Sequence, residues 1–349
     1  MARLELKKKL HRQPLSQRTP RLIYSDFCLG LVLGKLLSQK EEVRVLKTSL
    51  APLKGKLKFS IHEGDSCLSI ETNQPIYICG NKKSSGTHSF SAIEVYGGED
   101  FTVKNYSNDF SKIATTLLSG FSNTANFRSL LMPACSRLFT YICASKVAIY
   151  SIKSYGIDFD TLATKISTIT PSVDSLKQFR SAVKSALDQS PNLPENGHGL
   201  DHLNKSKICD CIGKCFSGQK SNGEIALKLT HRHELCKDLV FWGYDNVDQP
   251  VSLDKAVADL HTTRTSLSQG CKEILGIGPM EVIRNIRLEY INYILSNRGV
   301  RLNHGFNNVE EVRENFGFKT RGNFAALYRK HFNETPRETL LKSNSSLKN

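Results

Sequence analysis

Hydrophobic positions along this chain follow two different periods. From Glu41 they are short and alternating: Val43 and Val45, then Leu57, Phe59 and Ile61, then Leu68 and Ile70, then Ile76 and Ile78. Polar residues stand between them, and Gly55, Gly64-Asp65, Asn73-Gln-Pro75 and Gly80-Asn81 punctuate the runs. Phe90, Ala92, Glu94 and Tyr96 continue the pattern, Gly97-Gly98 turns it, and Phe101–Val103 ends it. Alternation bounded by turn residues predicts about six or seven antiparallel strands in a small sandwich or barrel. From Phe110 the spacing lengthens, and Ile113, Leu117, Leu118, Phe127, Leu130, Leu131, Leu138, Tyr141 and Ile142 read as helices. Pro171, Pro191 and Pro194 mark joints before a further helical region.

The last third is helical throughout. Phe318, Phe324, Leu327, Tyr328 and Phe332 recur at three- and four-residue steps, so they share one helix face, while Arg321, Asn323, Arg329 and Lys330 share the other. Gly317 fits a tight turn, Thr320 an N-cap, and Thr335-Pro336 with Glu338 a fresh helix start. Upstream, Asn308 followed by Glu311 opens a short helix. Short helix, turn, second helix with a polar N-terminal face is the helix-turn-helix pattern. It occurs twice: Ser252–Leu260 is another short capped helix, His261-Thr262-Thr263 a turn, and Arg264–Lys272 a second helix closed by Gly276. Between the units, Pro279 begins a long amphipathic helix through Val282, Ile286, Ile291 and Leu295.

Two such units joined by one helix resemble the AraC/XylS transcription regulators. The matching residues are Leu267, Gly276, Pro279, Arg287-Leu288, Leu295, Gly317-Phe318, Phe324, Tyr328, Phe332 and Pro336. Departures are Cys271 after Gly270 where an aromatic is usual, Val312 for a small residue, Asn333 for a glycine, and a long Ser296–Asn307 loop. The Leu275–Pro279 segment is similar to the ethanolamine-operon branch of the family.

The fold class expected is α+β: an N-terminal cupin-like antiparallel sandwich or barrel with helices, then an all-α double helix-turn-helix domain. The division is a basic tail over 1–40, a sensor over 41–175, a helical dimerisation or packing region over 176–227, and the DNA-binding domain over 228–342. The resemblance implies that Arg264, Thr265, Gln269, Lys319, Arg321 and Asn323 read base edges. Thr263, Lys272, Thr320, Arg329 and Lys330 would hold phosphates. It implies double-stranded promoter DNA, RNA polymerase, a second copy of the chain and a small-molecule effector as partners, with activation as the outcome. Two alternatives stay open: control by a protein partner, or an N-terminal domain used only for oligomerisation.

Charge agrees with a polyanionic partner. The net charge is +15, with pI about 9.3. Residues 250–349 hold 15 Lys and Arg against 10 Asp and Glu, and the first 21 hold 7 against one. The basic start reads as a solvated tail able to touch phosphates without sequence preference. No apolar run approaches the roughly 20 residues of a membrane helix, which places the expected location in the cytoplasm.

Ten cysteines are present, without a disulfide framework. Cys209, Cys211, Cys215, His231, His233 and Cys236 include metal-binding residue types, but their spacing fits no standard zinc motif, and a packing face is expected. His62-Glu63 with His88 falls short of a cupin metal cluster. No phosphate-cradling glycine loop, zinc-protease motif or nucleophile elbow appears, so neither enzyme, cofactor nor metal is expected.

Overall fold

The computed structural model describes residues 21–23, 29–30, 33, 42–62, 65–81, 88–95, 118–119, 129–143, 155–156, 166–169, 171–189, 202–217, 224–225, 231–249 and 251–345. Residues 1–20 of the basic tail, and the side chains of His62, Glu63 and His88, lie outside them. Strands β1 (Arg21–Ile23), β3 (Gly55–His62), β4 (Asp65–Thr72), β6 (His88–Val95), β7 (Leu118–Ser119), β9 (Ser136–Cys143), β10 (Ile166–Ile169) and β11 (Glu224–Ile225) form one sheet. Their order is β1-β3-β4-β9-β6-β7-β10-β11. A smaller sheet, ordered β2-β5-β8, is built from β2 (Glu42–Lys47), β5 (Ile76–Asn81) and β8 (Ser129–Met132). Neighbours in both sheets run antiparallel.

Alternation sorts the side chains into layers. Leu57, Phe59, Leu68, Ile70, Ile93, Leu138 and Ile142 of the large sheet meet Val43, Val45, Ile76 and Ile78 of the small one. The opposite face of the large sheet, through Cys67, Phe90, Phe139, Tyr141 and Cys143, is covered by helices α1 (Val173–Gln189) and α2 (His202–Ser217). Apart from the first three residues of α1, these helices fall in the 176–227 region expected to serve dimerisation or packing, and they share the core of the large sheet.

The helical reading is corrected at Leu118, Leu130, Leu131, Leu138, Tyr141 and Ile142, which lie in β7, β8 and β9; Ile113, Leu117 and Phe127 lie outside the described residues. Sandwiched between a second sheet and two helices, β9 is buried on both faces, with six consecutive buried residues from Leu138 to Cys143. A two-sided burial replaces the alternation that would mark a strand with a continuous apolar run.

The last third comprises α3 (His231–Asp245), α4 (Leu253–Asp259), α5 (Arg264–Leu275), α6 (Pro279–Ser296), α7 (Arg298–Asn303), α8 (Val309–Asn315), α9 (Arg321–Phe332) and α10 (Pro336–Ser345). Helix α7 lies inside the stretch read from sequence as a long loop. Arg301, 3% exposed, holds it, donating to the Leu295 carbonyl at 3.2 Å, to Ser343 Oγ at 3.1 Å and to Asn344 Oδ1 at 2.8 Å. The shared core is centred on α6, whose Val282, Ile286, Leu288, Ile291, Ile294 and Leu295 are fully buried.

The outer face of the small sheet adds Leu46, Tyr77 and Cys79 to this helical core. Polar contacts fasten the same seam. Tyr244 donates to the Val45 carbonyl at 2.5 Å, Arg44 lies 3.7 Å from Asp245, and Lys47 reaches the His331 carbonyl at 3.2 Å.

Candidate nucleic-acid interface

The caps expected at Ser252, Asn308 and Thr335 are formed, and Thr263, read from sequence as part of a turn, supplies a further one. Ser252 Oγ accepts from Lys255 N at 3.2 Å to open α4, and Thr263 Oγ1 accepts from Ser266 N at 3.1 Å to open α5. Asn308 Oδ1 accepts from Glu311 N at 2.9 Å at the start of α8. Thr335 and Glu338 cap α10 reciprocally, at 3.2 Å and 2.6 Å. Thr320 occupies the N-cap of α9, but its side chain makes no capping hydrogen bond, which corrects the role expected of its hydroxyl.

The turns differ. His261 carries the left-handed conformation in the first unit (φ 48°), and Gly317 carries it in the second (φ 74°). Gly276 closes α5 at φ 70°, and Asn333 closes α9 at φ 59°. Asparagine is among the few side chains that adopt this region readily, so the departure from glycine at Asn333 leaves the turn intact.

Each second helix buries one stripe and exposes the other. In α9, Phe318–Phe324, Phe324–Tyr328 and Tyr328–Phe332 form a ladder of ring contacts with centroids 5.0, 5.8 and 4.6 Å apart. Tyr328 takes a hydrogen bond from Asn292 Nδ2 at 2.8 Å and gives one to Thr339 Oγ1 at 2.9 Å, fixing α9 to α6 and α10. The eleven residues expected at DNA (Thr263, Arg264, Thr265, Gln269, Lys272, Lys319, Thr320, Arg321, Asn323, Arg329 and Lys330) are all exposed. They lie in two groups, on α5 with its cap and on α9 with its cap and preceding turn.

Arg287 ties the units to α6 from inside. Its Nη1 donates to the Phe316 carbonyl at 3.2 Å, and its Nη2 to the Gln249 carbonyl. Gln249 precedes the first unit and Phe316 ends the first helix of the second, so one guanidinium fixes both to the joining helix.

Sequence reasoning missed two sets of charged contacts. In the first, Arg264 donates through Nε to Asp254 Oδ1 at 2.7 Å, with Nη2 on the same oxygen, and Arg321 donates through Nε to Glu310 Oε2 at 3.2 Å. Hydrogen bonds from Arg313, then from Arg321, hold the Glu310 carboxyl below the usual carboxylate range. In the second, His331 Nε2 lies 2.9 Å from Glu289 Oε1 and Lys47 Nζ lies 3.7 Å from the same oxygen, all three side chains fully buried. Neither set has a periodicity signal, because the partners are brought together only by the packing of separate elements.

The four cysteines of the candidate cluster divide between two cores, while His231 is exposed and His233 half-buried in the first turn of α3. Cys209, Cys211 and Cys215 pack under the large sheet, whereas Cys236 packs in the helical core beside Cys271. Burial pushes the thiols of Cys209, Cys211 and Cys215 up, so they stay protonated and behave as small apolar groups. Among the described residues, no three His, Cys, Asp or Glu side chains converge as a metal set, and no helix is long and apolar enough to cross a membrane.

Two capped helical pairs joined by one buried helix, each presenting a polar helix face, define a double helix-turn-helix domain. Residues 257–342 match the family described as "Helix-turn-helix domain". The chain is 32% identical over 96 residues to the XylDLEGF operon transcriptional activator 2 of Pseudomonas putida, covering 28% of this chain and 59% of that protein. Among solved structures it is similar to a probable AraC family transcriptional regulator from Rhodopseudomonas palustris CGA009 (23% identity, 32% of this chain and 97% of that one, TM-score 0.29). ToxT from Vibrio cholerae matches at 14% identity over 86% of this chain and 98% of that one, with TM-score 0.31. At such TM-scores neither structural likeness bears on the function of this chain.

Proposed function

We propose that the chain is a sequence-specific DNA-binding transcription regulator, acting as an activator, whose N-terminal domain controls its helix-turn-helix domain. The observation that carries this is the duplicated unit: two capped helices, each with a buried apolar stripe and an exposed row of Arg, Lys, Thr, Asn and Gln, joined by one buried helix. Each exposed row enters a major groove, with about one helical turn of DNA between them. Arg264, Thr265, Gln269, Lys319, Arg321 and Asn323 read base edges. Thr263, Lys272, Thr320, Arg329 and Lys330, with the backbone N–H groups at the helix starts, hold phosphates.

Control reaches the DNA-binding domain through the seam where β2 meets α3, α6 and the end of α9. An effector bound in the N-terminal domain changes how that strand is seated, and with it the orientation of α9. RNA polymerase and a second copy of the chain complete the assembly at a promoter, and the protein works in the cytoplasm.

The test begins by selecting duplexes from a randomised pool with the full chain. Wild type, Arg321→Ala and Arg329→Ala are then titrated against the selected duplex and every single-base substitution of it. Arg321→Ala loses about 1–3 kcal/mol on the selected duplex and its preference at one base pair, because a guanidinium bidentate to guanine O6 and N7 has no substitute there. Arg329→Ala weakens all sequences alike and lowers the salt dependence. Selection yielding no enriched sequence would overturn the proposal.

A further inference from the structure

We propose that Asp254 and Glu310 are specificity-determining positioning residues: each grips one edge of the arginine that opens the following recognition helix and leaves the opposite edge to face the bases. This rests on the proposed base-reading role of Arg264 and Arg321.

The repeat carries the inference. Asp254 is the second residue of α4, behind the N-cap Ser252, and Glu310 is the second residue of α8, behind the N-cap Asn308. Arg264 and Arg321 are each the first residue of a twelve-residue helix behind a threonine N-cap. An acid at the equivalent position therefore meets an arginine at the equivalent position in both units. It does so although the sequence separations are 10 and 11 and the turns between them are built differently, on His261 and on Gly317. An adventitious surface pair has no reason to survive a one-residue change in the connecting turn.

The geometry leaves the useful donors available. A guanidinium carries five N–H groups in a plane. The carboxylates take the side edge: Nε and one Nη2 hydrogen of Arg264, and Nε of Arg321. Bidentate recognition of guanine uses two parallel N–H groups, which the Nη1–Nη2 end edge supplies. Gripping the side edge thus fixes the plane of the donor pair before DNA arrives.

Stability does not account for these pairs. Three of the four side chains are largely exposed, 64% and 67% for Arg264 and Asp254 and 80% for Arg321, with Glu310 half-buried at 34%, and ion pairs so solvated contribute little to folding. On the DNA-facing surface they also place two negative charges where phosphates approach, which weakens binding to any sequence. What they add is discrimination. On unrelated DNA, an unrestrained guanidinium swings to the nearest phosphate; a carboxylate on its side edge competes for it and repels that phosphate. On the right sequence the guanine takes the end edge without displacing the carboxylate.

Glu310 is the better anchored of the two. Its Oε1 receives Arg313 Nε at 2.9 Å and Nη2 at 2.7 Å, while Oε2 faces Arg321. Arg313 is 8% exposed and also donates to the Phe318 carbonyl in the turn, so the grip on Arg321 is fastened to the turn itself.

The experiment uses the full chain and three probes: the duplex selected by wild type, its single-base substitutions, and an unrelated duplex of equal length. Glu310→Gln is expected to bind the unrelated duplex about threefold more tightly. Its selected-to-unrelated affinity ratio should fall about tenfold, with preference lost at the base pair assigned to Arg321 and kept elsewhere. Asp254→Asn does the same at the Arg264 position, more weakly. Glu314→Gln changes the charge of the same helix by the same amount but touches Arg313 rather than Arg321, and should raise both affinities together. Adding Glu310→Gln to Arg321→Ala should change the base profile no further. If Glu310→Gln behaves as Glu314→Gln does, with the ratio and base profile intact, the proposal is overturned. If Arg321→Ala itself leaves every base preference unchanged, the reading of Arg321 fails first. Circular dichroism checks the fold of each variant, and Asp254→Asn gives an independent answer should Glu310→Gln not fold.

Discussion

A methyl group added at Gly270 would lie 2.9 Å from the carbonyl oxygen of Arg232 on α3, a backbone atom that cannot swing aside. By helix propensity alone, Gly270→Ala in the middle of α5 should stabilise by about 1 kcal/mol. The contact reverses the sign. Overpacking against fixed backbone costs about 1–3 kcal/mol, so the variant should unfold at lower urea than wild type. An unchanged or raised midpoint would show that α3 and α5 can separate freely. From sequence this glycine reads only as a weak point in a recognition helix; the neighbouring helix that requires it is visible only in three dimensions. Asn333 is the opposite case, since its tolerance of the left-handed region is an intrinsic property of the residue and could be read in advance.

Among the elements, the caps separate two roles that the sequence treats alike. Asn308 makes a capping hydrogen bond and Thr320 does not. Asn308→Ala should therefore lower stability by about 1 kcal/mol. Thr320→Val should leave the unfolding midpoint almost unchanged and, on the proposal that its hydroxyl holds a phosphate, weaken binding to all duplexes alike. A large stability loss in Thr320→Val would return that hydroxyl to the helix. Element type was legible wherever one face of an element meets solvent, as in α5 and α9. It was illegible in β9, where a second sheet and two helices bury both faces and erase the period of two. Helix α7 was hidden for another reason. Six residues carry too little periodicity to be noticed, and the buried Arg301 that holds them bonds to residues more than 40 positions away.

Lys47 decides how the whole molecule is joined. At the end of β2 it inserts its ammonium against the Ala51 and His331 carbonyls, at 2.8 and 3.2 Å, and beside Glu289 at 3.7 Å. A charge so buried is tolerated only because these oxygens surround it, and removing it leaves Glu289 and His331 with one partner fewer. Lys47→Ala should cost the full chain about 3–5 kcal/mol and let limited proteolysis part the sheets from the helices more quickly. The segment 228–342, which lacks Lys47, should still fold and bind DNA in a salt-sensitive way, because the centre of its core, α6, and both recognition helices lie within it. A soluble but unfolded fragment would show that the seam with β2 is needed for the helical domain to form.

The sequence by itself determined what depends on neighbours along the chain. The 3.6-residue stripes, the caps at Ser252, Thr263, Asn308 and Thr335, the left-handed turns at Gly276 and Gly317, and the polar face of each recognition helix all arise from interactions within a few residues. So the double helix-turn-helix domain could be read directly. Tertiary structure alone decided which charges meet across elements: Asp254 with Arg264, Glu310 with Arg321, and Glu289 with Lys47 and His331. An ion pair between separate elements has no period and no preferred separation, and in the last cluster Lys47 also bonds to the His331 carbonyl, 284 positions away. Its partners are chosen by the packing of whole elements, after the hydrophobic pattern has already fixed where those elements lie.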